Sequence, residues 1–322
     1  MTATAFRTPR TPLVAPGAME LHASDMTATF AGNVKLETAQ ARLAEIGQWL
    51  PIDGDPHSSV DQLVLQNSTG PLRLGYGAWR DLLLGVQFTN GRGELISAGG
   101  RTVKNVAGYD LTKFIVGSAG MFGNIVSLTV RTYKRPEAAL LVTHAPDIHL
   151  LGRLMPTALR PQWALLGSEQ AHFGYLGDRR TIDYYLANLP QTEPESIVEH
   201  SIDEDIATRA RLWRAEGETT FRASVPPMQI AELAADLDCQ SWIGDPAFGA
   251  VLGWNLTDDR IALLHESAAA LGGSIRILKR AADSPQPTVE FSTNPVERKI
   301  IEKLKLAFDP DNKLTPLPWQ TR

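Results

Sequence analysis

Apolar and polar positions change period several times along the chain, and each change marks an element. Met26 to Phe30 is a short strand candidate. Lys35 to Gln48 then repeats at helical spacing, with Leu36, Ala39, Leu43 and Ile46 on one face and Gly47 suited to a left-handed stop. Leu84 to Thr89 enters Asn90-Gly91-Arg92-Gly93 and leaves as Glu94 to Ala98. Asn-Gly favours the positive φ angles of a tight hairpin turn, so this stretch is expected to fold back on itself. A short helix is expected after Gly99-Gly100, capped by Asp110 and ended by Gly117. Val126, Leu128 and Val130 then alternate with Ser127, Thr129 and Arg131, the mark of a half-buried strand.

The second half has its own rhythm. Thr219 to Val225 alternates as a strand and Pro226-Pro227 breaks it; Met228 to Leu237 has helical spacing; Ser241 to Gly244 and Phe248 to Trp254 are strands. Asp258 opens a helix with Ile261, Leu264, Ala268 and Leu271 on one face, and Ser274 to Leu278 closes the series. The order β-α-β-β-α-β is that of a ferredoxin-like unit. A fainter copy is expected over Ala139 to Ile202, with strands near Leu140, Trp163, Phe173 and Ile197 and a poor helix at Asp147 to Leu159, broken by Pro156. Near the end, Asn294 as N-cap, Pro295 and Glu297 start a helix whose apolar stripe is Val296, Ile300, Leu304 and Phe308.

Composition narrows the function classes. The 322 residues suffice for two domains, and 43% hydrophobic with 21% charged residues is a globular profile. A net charge of −5 gives no overall basic surface for a phosphate backbone, so no nucleic-acid partner is expected. No apolar run approaches the ~20 residues of a membrane span, and Met1 to Val14 lacks the apolar core of a signal peptide, so a cytoplasmic location is expected. Cys239 is the sole cysteine, and the seven histidines form neither H-x-x-x-H nor H-E-x-x-H. No metal site is expected within the chain, and iron–sulfur chemistry would have to come from another subunit.

Chemistry is concentrated between Gly99 and Gly123, where Gly99, Gly100, Gly108, Gly117, Gly120 and Gly123 fall within a short span. Any one glycine suits an ordinary turn; the cluster points to special backbone angles or a ligand lying close to the main chain. Gly117-x-x-Gly120-x-x-Gly123 superficially matches a dinucleotide fingerprint, but the helix precedes the glycines and the strand follows them. A Rossmann site needs the reverse, so that phosphate meets a helix N-terminus. No G-x-x-x-x-G-K-[ST] loop is present.

Val103-Lys104-Asn105-Val106-Ala107-Gly108-Tyr109-Asp110-Leu111, followed by Gly117-Ser118-x-Gly120-x-x-Gly123, resembles the signature of glycolate oxidase FAD-binding subunits, within the vanillyl-alcohol-oxidase-like flavoproteins. Gly47-Gln48-Trp49-Leu50-Pro51, Ser68-x-Gly70-Pro71-Leu72-Arg73-Leu74-x-Tyr76-Gly77, Arg80-Asp81-x-x-Leu84-Gly85-Val86 and Ala307-Phe308-Asp309-Pro310 are similar to flanking segments of that family. The resemblance implies an α+β protein: a PCMH-type FAD-binding domain followed by a ferredoxin-like α/β cap. It implies FAD against a wall shaped by Lys104, Asn105, Gly108, Tyr109, Asp110, Gly117, Ser118, Gly120, Gly123 and Ile125. A solvated charge at Lys104, core packing at Tyr109 and a helix cap at Asp110 are the plainer alternatives. A glycine-lined wall lets a flat ring pack closely and leaves backbone N–H groups for carbonyls and phosphate.

The resemblance also implies work in a complex, beside a catalytic flavoprotein subunit and an iron–sulfur subunit, on a small 2-hydroxy acid. Two departures from the family pattern are expected to matter. The small first subdomain with its glycine-rich phosphate loop is not found before Met26, so the flavin domain is expected to be abbreviated. The run from Asp55 to Asn67 has no glycine, and Asp61 would bring negative charge toward a diphosphate. No catalytic residue stands out. The expected plan is a loose arm over 1–25, a flavin domain over 26–136, a cap over 137–290, and a C-terminal helix and tail over 291–322 that returns to the flavin domain. A cofactor-free assembly subunit is the alternative.

Overall fold

The structure, a computed structural model, describes residues 12–100, 111–235, 237, 242–279 and 295–319. In chain order the strands and helices begin with β1 (Met19–His22), β2 (Thr27–Ala31), α1 (Leu36–Ala44), β3 (Gln48–Trp49), α2 (Val60–Leu65), α3 (Arg73–Tyr76), α4 (Trp79–Leu82), β4 (Leu83–Thr89) and β5 (Leu95–Gly99). There follow α5 (Leu111–Ile115), β6 (Asn124–Arg131), β7 (Tyr133–Lys134), β8 (Ala138–His144), α6 (Leu150–Leu154), β9 (Trp163–Leu166), β10 (Ala171–Gly177), α7 (Arg179–Asn188), β11 (Ser196–His200) and α8 (Ile202–Leu212). The series ends with β12 (Thr220–Ser224), α9 (Ile230–Ala235), β13 (Trp242–Asp245), β14 (Ala250–Trp254), α10 (Asp258–Ala270), β15 (Ser274–Lys279) and α11 (Pro295–Phe308). No helix among the described residues is long and apolar enough to cross a membrane.

Two compact units result. Among the described residues, the first holds those up to Gly70, Gly77–Arg135 and α11 with the tail; the second holds Pro71–Tyr76 and those from Pro136 to Lys279. The first unit is built on an antiparallel sheet in the order β1-β2-β6-β4-β5, with β3 and β7 as a separate pair. Every residue of β2 is buried, and Phe30, Leu43, Val60, Phe88 and Leu128 share one apolar core. Part of the expected loose arm is ordered here: Val14 is buried and β1 pairs with β2 from Met19↔Phe30 to His22↔Thr27. A four-residue edge strand is too short to show a period, so its order comes from its neighbour.

The hairpin forms by different turn chemistry from that expected. Asn90 Oδ1 accepts from Arg92 N and Glu94 N, Gly93 N donates to Asn90 O at 3.0 Å, and the left-handed residue is Gly93 (φ +79). This is a type I turn followed by a left-handed glycine, not an Asn-Gly turn. Gly91 is glycine for another reason: a Cβ there would run into the Asp309 carboxylate. Helix α1 ends before Ile46, which is exposed and not on the buried face.

The second unit is a single eight-stranded antiparallel sheet, β11-β8-β10-β9-β13-β14-β12-β15. Its first four members and its last four are each a β-α-β-β-α-β unit with the first and third strands central, and the two copies meet where β9 pairs with β13 at Gly244↔Leu166. The α+β class with a ferredoxin-like second part is therefore seen, and the faint first copy is as regular as the second. Side chains of α6, α7, α9 and α10 pack on one face with Phe173, Tyr175, Phe221 and Val251. Helix α8 lies against β8 and β11, where Trp163 Nε1 donates to Asp205 Oδ1 at 2.9 Å and Asp205 pairs with buried Arg209.

Candidate functional site

The segment from α5 to β6 contains the described half of the expected cofactor wall. Gly117 (φ +78), Ala119 (φ +51) and Gly120 (φ +79) are left-handed, so the chain coils tightly through three of four residues. The coil is held by neighbouring elements. Gly117 N donates to Val64 O at 3.0 Å and Ala119 N to Leu65 O at 2.8 Å, which satisfies carbonyls at the end of α2 that have no partner inside that helix. Asn67, itself left-handed at φ +50, lies beside Gly117, where a Cβ would sit 3.3 Å from the Asn67 Cβ. Ser118 N and Met121 N bond back to Ile115 O and Ser118 O. The amides of Gly117, Ser118, Ala119 and Met121 are therefore bonded within the fold.

The turn also encloses a hydroxyl. Ser118 is buried and its Oγ has no hydrogen-bond partner among the described residues. Gly117 and Ala119 on either side are exposed. The other two expected glycines have packing reasons within this unit. A Cβ at Gly120 would lie 3.0 Å from Thr315 Oγ1, and one at Gly123 would collide with the Phe88 ring. Ile125 is buried in the apolar core, and its carbonyl stands only 2.6 Å from where Gly32 would carry a Cβ. Lys104, Asn105, Gly108, Tyr109 and Asp110 lie outside the described residues.

A clasp beneath the turn escaped the sequence reading. Lys305 of α11 is 4% exposed, whereas Val296 and Ile300 from the expected apolar stripe are 65% and 53% exposed. Lys305 Nζ donates to Met121 O at 3.1 Å, Thr315 O at 2.8 Å and Asp309 Oδ2 at 2.6 Å. Asp309 also accepts from Lys313 N and Leu314 N at 2.8 and 2.9 Å. Burial alone would raise the Asp309 pKa; the Lys305 ammonium and these amides outweigh it and hold the pKa below the usual value. Phe308 stacks on Phe114, with ring centres 5.2 Å apart, and Phe114 stacks on Phe122 at 4.8 Å. Only the i,i+4 spacing of Lys305 and Asp309 could have signalled the clasp.

Asp61, expected to repel a diphosphate, is occupied locally. Its Oδ1 accepts from Ser59 Oγ and, at 2.7 Å, from Gln62 N in the first turn of α2. Its Oδ2 lies 3.3 Å from where a Cβ of Gly32 would stand.

Residues 15–99 match the FAD binding domain family. Glycolate oxidase subunit GlcD of Bacillus subtilis (strain 168) is 33% identical over 359 residues, covering 92% of this chain and 76% of that protein. The chain belongs to the PCMH-type FAD-linked oxidoreductases related to glycolate oxidase. Glycolate oxidase subunit GlcE of Escherichia coli (strain K12) is also 33% identical, over 128 residues, and the match spans 38% of this chain and 36% of GlcE. The fold is similar to that of a solved alkyldihydroxyacetonephosphate synthase: TM-score 0.63 at 13% identity, over 90% of this chain and 63% of that one.

FAD is the cofactor of this oxidoreductase family, and the described turn fits it on one side. Buried polar atoms normally have a hydrogen-bond partner, so the Ser118 hydroxyl is free to take one; the Thr27 and Tyr175 hydroxyls share this state, and it is the position of Ser118 within the glycine turn that sets it apart. The exposed backbone of Gly117 and Ala119 offers a face on which a planar ring can lie without meeting a long side chain. Gly117 and Ser118 are the described residues that would hold the group, with Asn67 and Lys305 fixing the turn behind them.

Proposed function

We infer that this FAD-linked oxidoreductase is the FAD-binding subunit of a glycolate oxidase-like complex acting on a 2-hydroxy acid, beside a catalytic flavoprotein subunit and an iron–sulfur subunit. The observation that carries the reading is the GlcD likeness, which runs through both units and not the flavin domain alone. Oxidising a 2-hydroxy acid needs a base for the hydroxyl proton, a cation for the carboxylate and an acceptor for hydride. FAD supplies the acceptor when bound. Within this chain, Gly117 and Ser118 support the ring, and Lys104, Asn105, Gly108, Tyr109 and Asp110 complete the proposed wall. Lys305 positions the turn through Met121 O. In this reading the base belongs to the catalytic partner subunit.

A second reading, an assembly subunit with a degenerate flavin site, is favoured by the packing of Gly120 and Gly123 against the protein's own Thr315 and Phe88. Anaerobic addition of glycolate or D-lactate to the purified chain, and to the chain co-purified with its partners, separates the readings. A flavin that bleaches only in the assembly fits the proposal. Bleaching of the isolated chain contradicts the partner-supplied base, and an assembly that works while this chain holds no flavin establishes the second reading.

A further inference from the structure

The two ferredoxin-like copies of the second unit join through equivalent strands. β9 and β13 are each the second strand of their copy, and they pair antiparallel at Leu166↔Gly244. Antiparallel pairing of equivalent strands sets a local two-fold axis through the sheet at this seam, so whatever is built at one end of the seam has a twin at the other.

One end is closed by the chain itself. The segment Pro71–Tyr76, which includes α3, belongs to this unit and lies against β9. Leu74 packs on the helix-side core, and a Cβ at Gly75 would stand 2.9 Å from Gln162 O, just before β9. Arg73 reaches the buried Asp245 at the end of β13, with Nε 3.4 Å from Oδ2, and its guanidinium stacks 3.8 Å over the Phe248 ring in the β13–β14 turn. An apolar side chain in the core and an arginine clasped by an acid and an aromatic ring hold this segment in place.

The twin end is an open cleft of about 460 Å³. That volume falls in the range of ligand pockets, roughly 300–1,000 Å³. Its buried lining is Leu166, Leu237 and Trp242, and Ile148 and the α9 residues Ala231 and Ala234 flank them. An adjoining hollow shares Gly167, Ser168 and Trp242 with it and is edged by Glu169 and His172. The rim is acidic on balance. Glu169 is exposed in the β9–β10 turn and Glu195 accepts from Gln170 Nε2 at 3.2 Å, against Arg211, which bears on His172. Asp147 is already paired with Arg153 at 2.6 Å. The open end thus offers an apolar floor, an aromatic ring and a turn acid, the kinds of group that hold Leu74 and Arg73 at the closed end.

The geometry points to a docking site for a short segment of a partner protein that carries a leucine or similar apolar side chain beside an arginine. The apolar side chain enters the cleft over Trp242 and the arginine meets Glu169. Such recognition uses a few anchor side chains in a preformed groove. The site goes beyond the flavin reading and does not depend on it.

Fluorescence anisotropy of the full chain with an end-blocked, dye-labelled copy of the segment Pro71–Tyr76 tests this. The site predicts saturable binding of one peptide per chain. Ala231→Gln combined with Ala235→Gln fills the cleft from exposed positions of α9 with residues that suit a helix, and should weaken binding at least fivefold. Glu169→Gln, in an exposed turn, should weaken it at least twofold and reduce its salt dependence; it decides the matter if the α9 variant fails to fold. Absence of saturable binding, or equal affinity in the cleft-filled and parent chains, overturns the site. A peptide with both leucines replaced by serine, or with its arginine replaced by glutamate, that binds as tightly as the original overturns the stated chemistry. Sedimentation of the chain without peptide closes the test: a dimer abolished by the α9 variant gives the cleft to a second copy and overturns the partner assignment.

Discussion

Asp245 shows how one buried side chain can dominate a local balance. Burial pushes its pKa up to about 6, against the pull of Arg73 and of the Ala247 and Phe248 amides. The unfolded chain loses this proton near the ordinary carboxylate value of about 3.9. Between about pH 4 and 6 the folded state therefore holds more protons than the unfolded one, and stability falls as pH rises through that window. The loss is on the order of 2–3 kcal/mol for a shift of this size. Urea midpoints from pH 4 to 7 should show Asp245→Asn lacking this component of the slope; equal slopes in both proteins would contradict the assignment. None of this was legible in the sequence, where Asp245 follows a strand like any turn acid and its partner Arg73 is far away along the chain. Ser118 was legible because it sits inside a motif, although its missing hydrogen bond needed coordinates.

Elements with a clear period were read well, because burial on one face imposes that period on the sequence. Strand β6, helix α10 and the strands of both ferredoxin-like copies fall where alternation or helical spacing placed them. Helices α2, α3 and α4 escaped because four to six residues are too few to show a face. Helix α8 escaped although Ser201 and Glu204 form a capping box at its start, a signal that needs no periodicity. Helix α11 was located, and Phe308 of its expected stripe packs on the core, but Val296 and Ile300 are exposed and the buried Lys305–Asp309 ion pair is an anchor that the stripe did not include. The prediction at this scale concerns that anchor. Lys305→Met leaves Asp309 buried without its cation and should cost about 3–5 kcal/mol of stability, read from denaturant unfolding. A cost near zero would show that the Lys313 and Leu314 amides alone satisfy Asp309, and that α11 does not secure the turn.

At the scale of the whole molecule, two units of different design carry different parts of the account. The first has the cofactor-family match and a glycine turn clasped from below by its own C-terminal helix. The second has a doubled ferredoxin-like sheet with an open cleft at one end of its seam. The sequence-level resemblance was strongest over the first and weak over most of the second. Sheet-and-helix cores tolerate many apolar replacements, whereas a turn with three left-handed residues tolerates few. The central claim is that the Gly117–Gly120 turn holds FAD through Ser118, and its most direct test is FAD titration of the purified chain and of Ser118→Ala, followed by the flavin visible spectrum. Loss of an unpartnered buried hydroxyl should stabilise the FAD-free variant by about 1 kcal/mol and weaken its hold on FAD at least severalfold. A parent chain that stays colourless, or a variant that binds FAD as tightly as the parent, would contradict it.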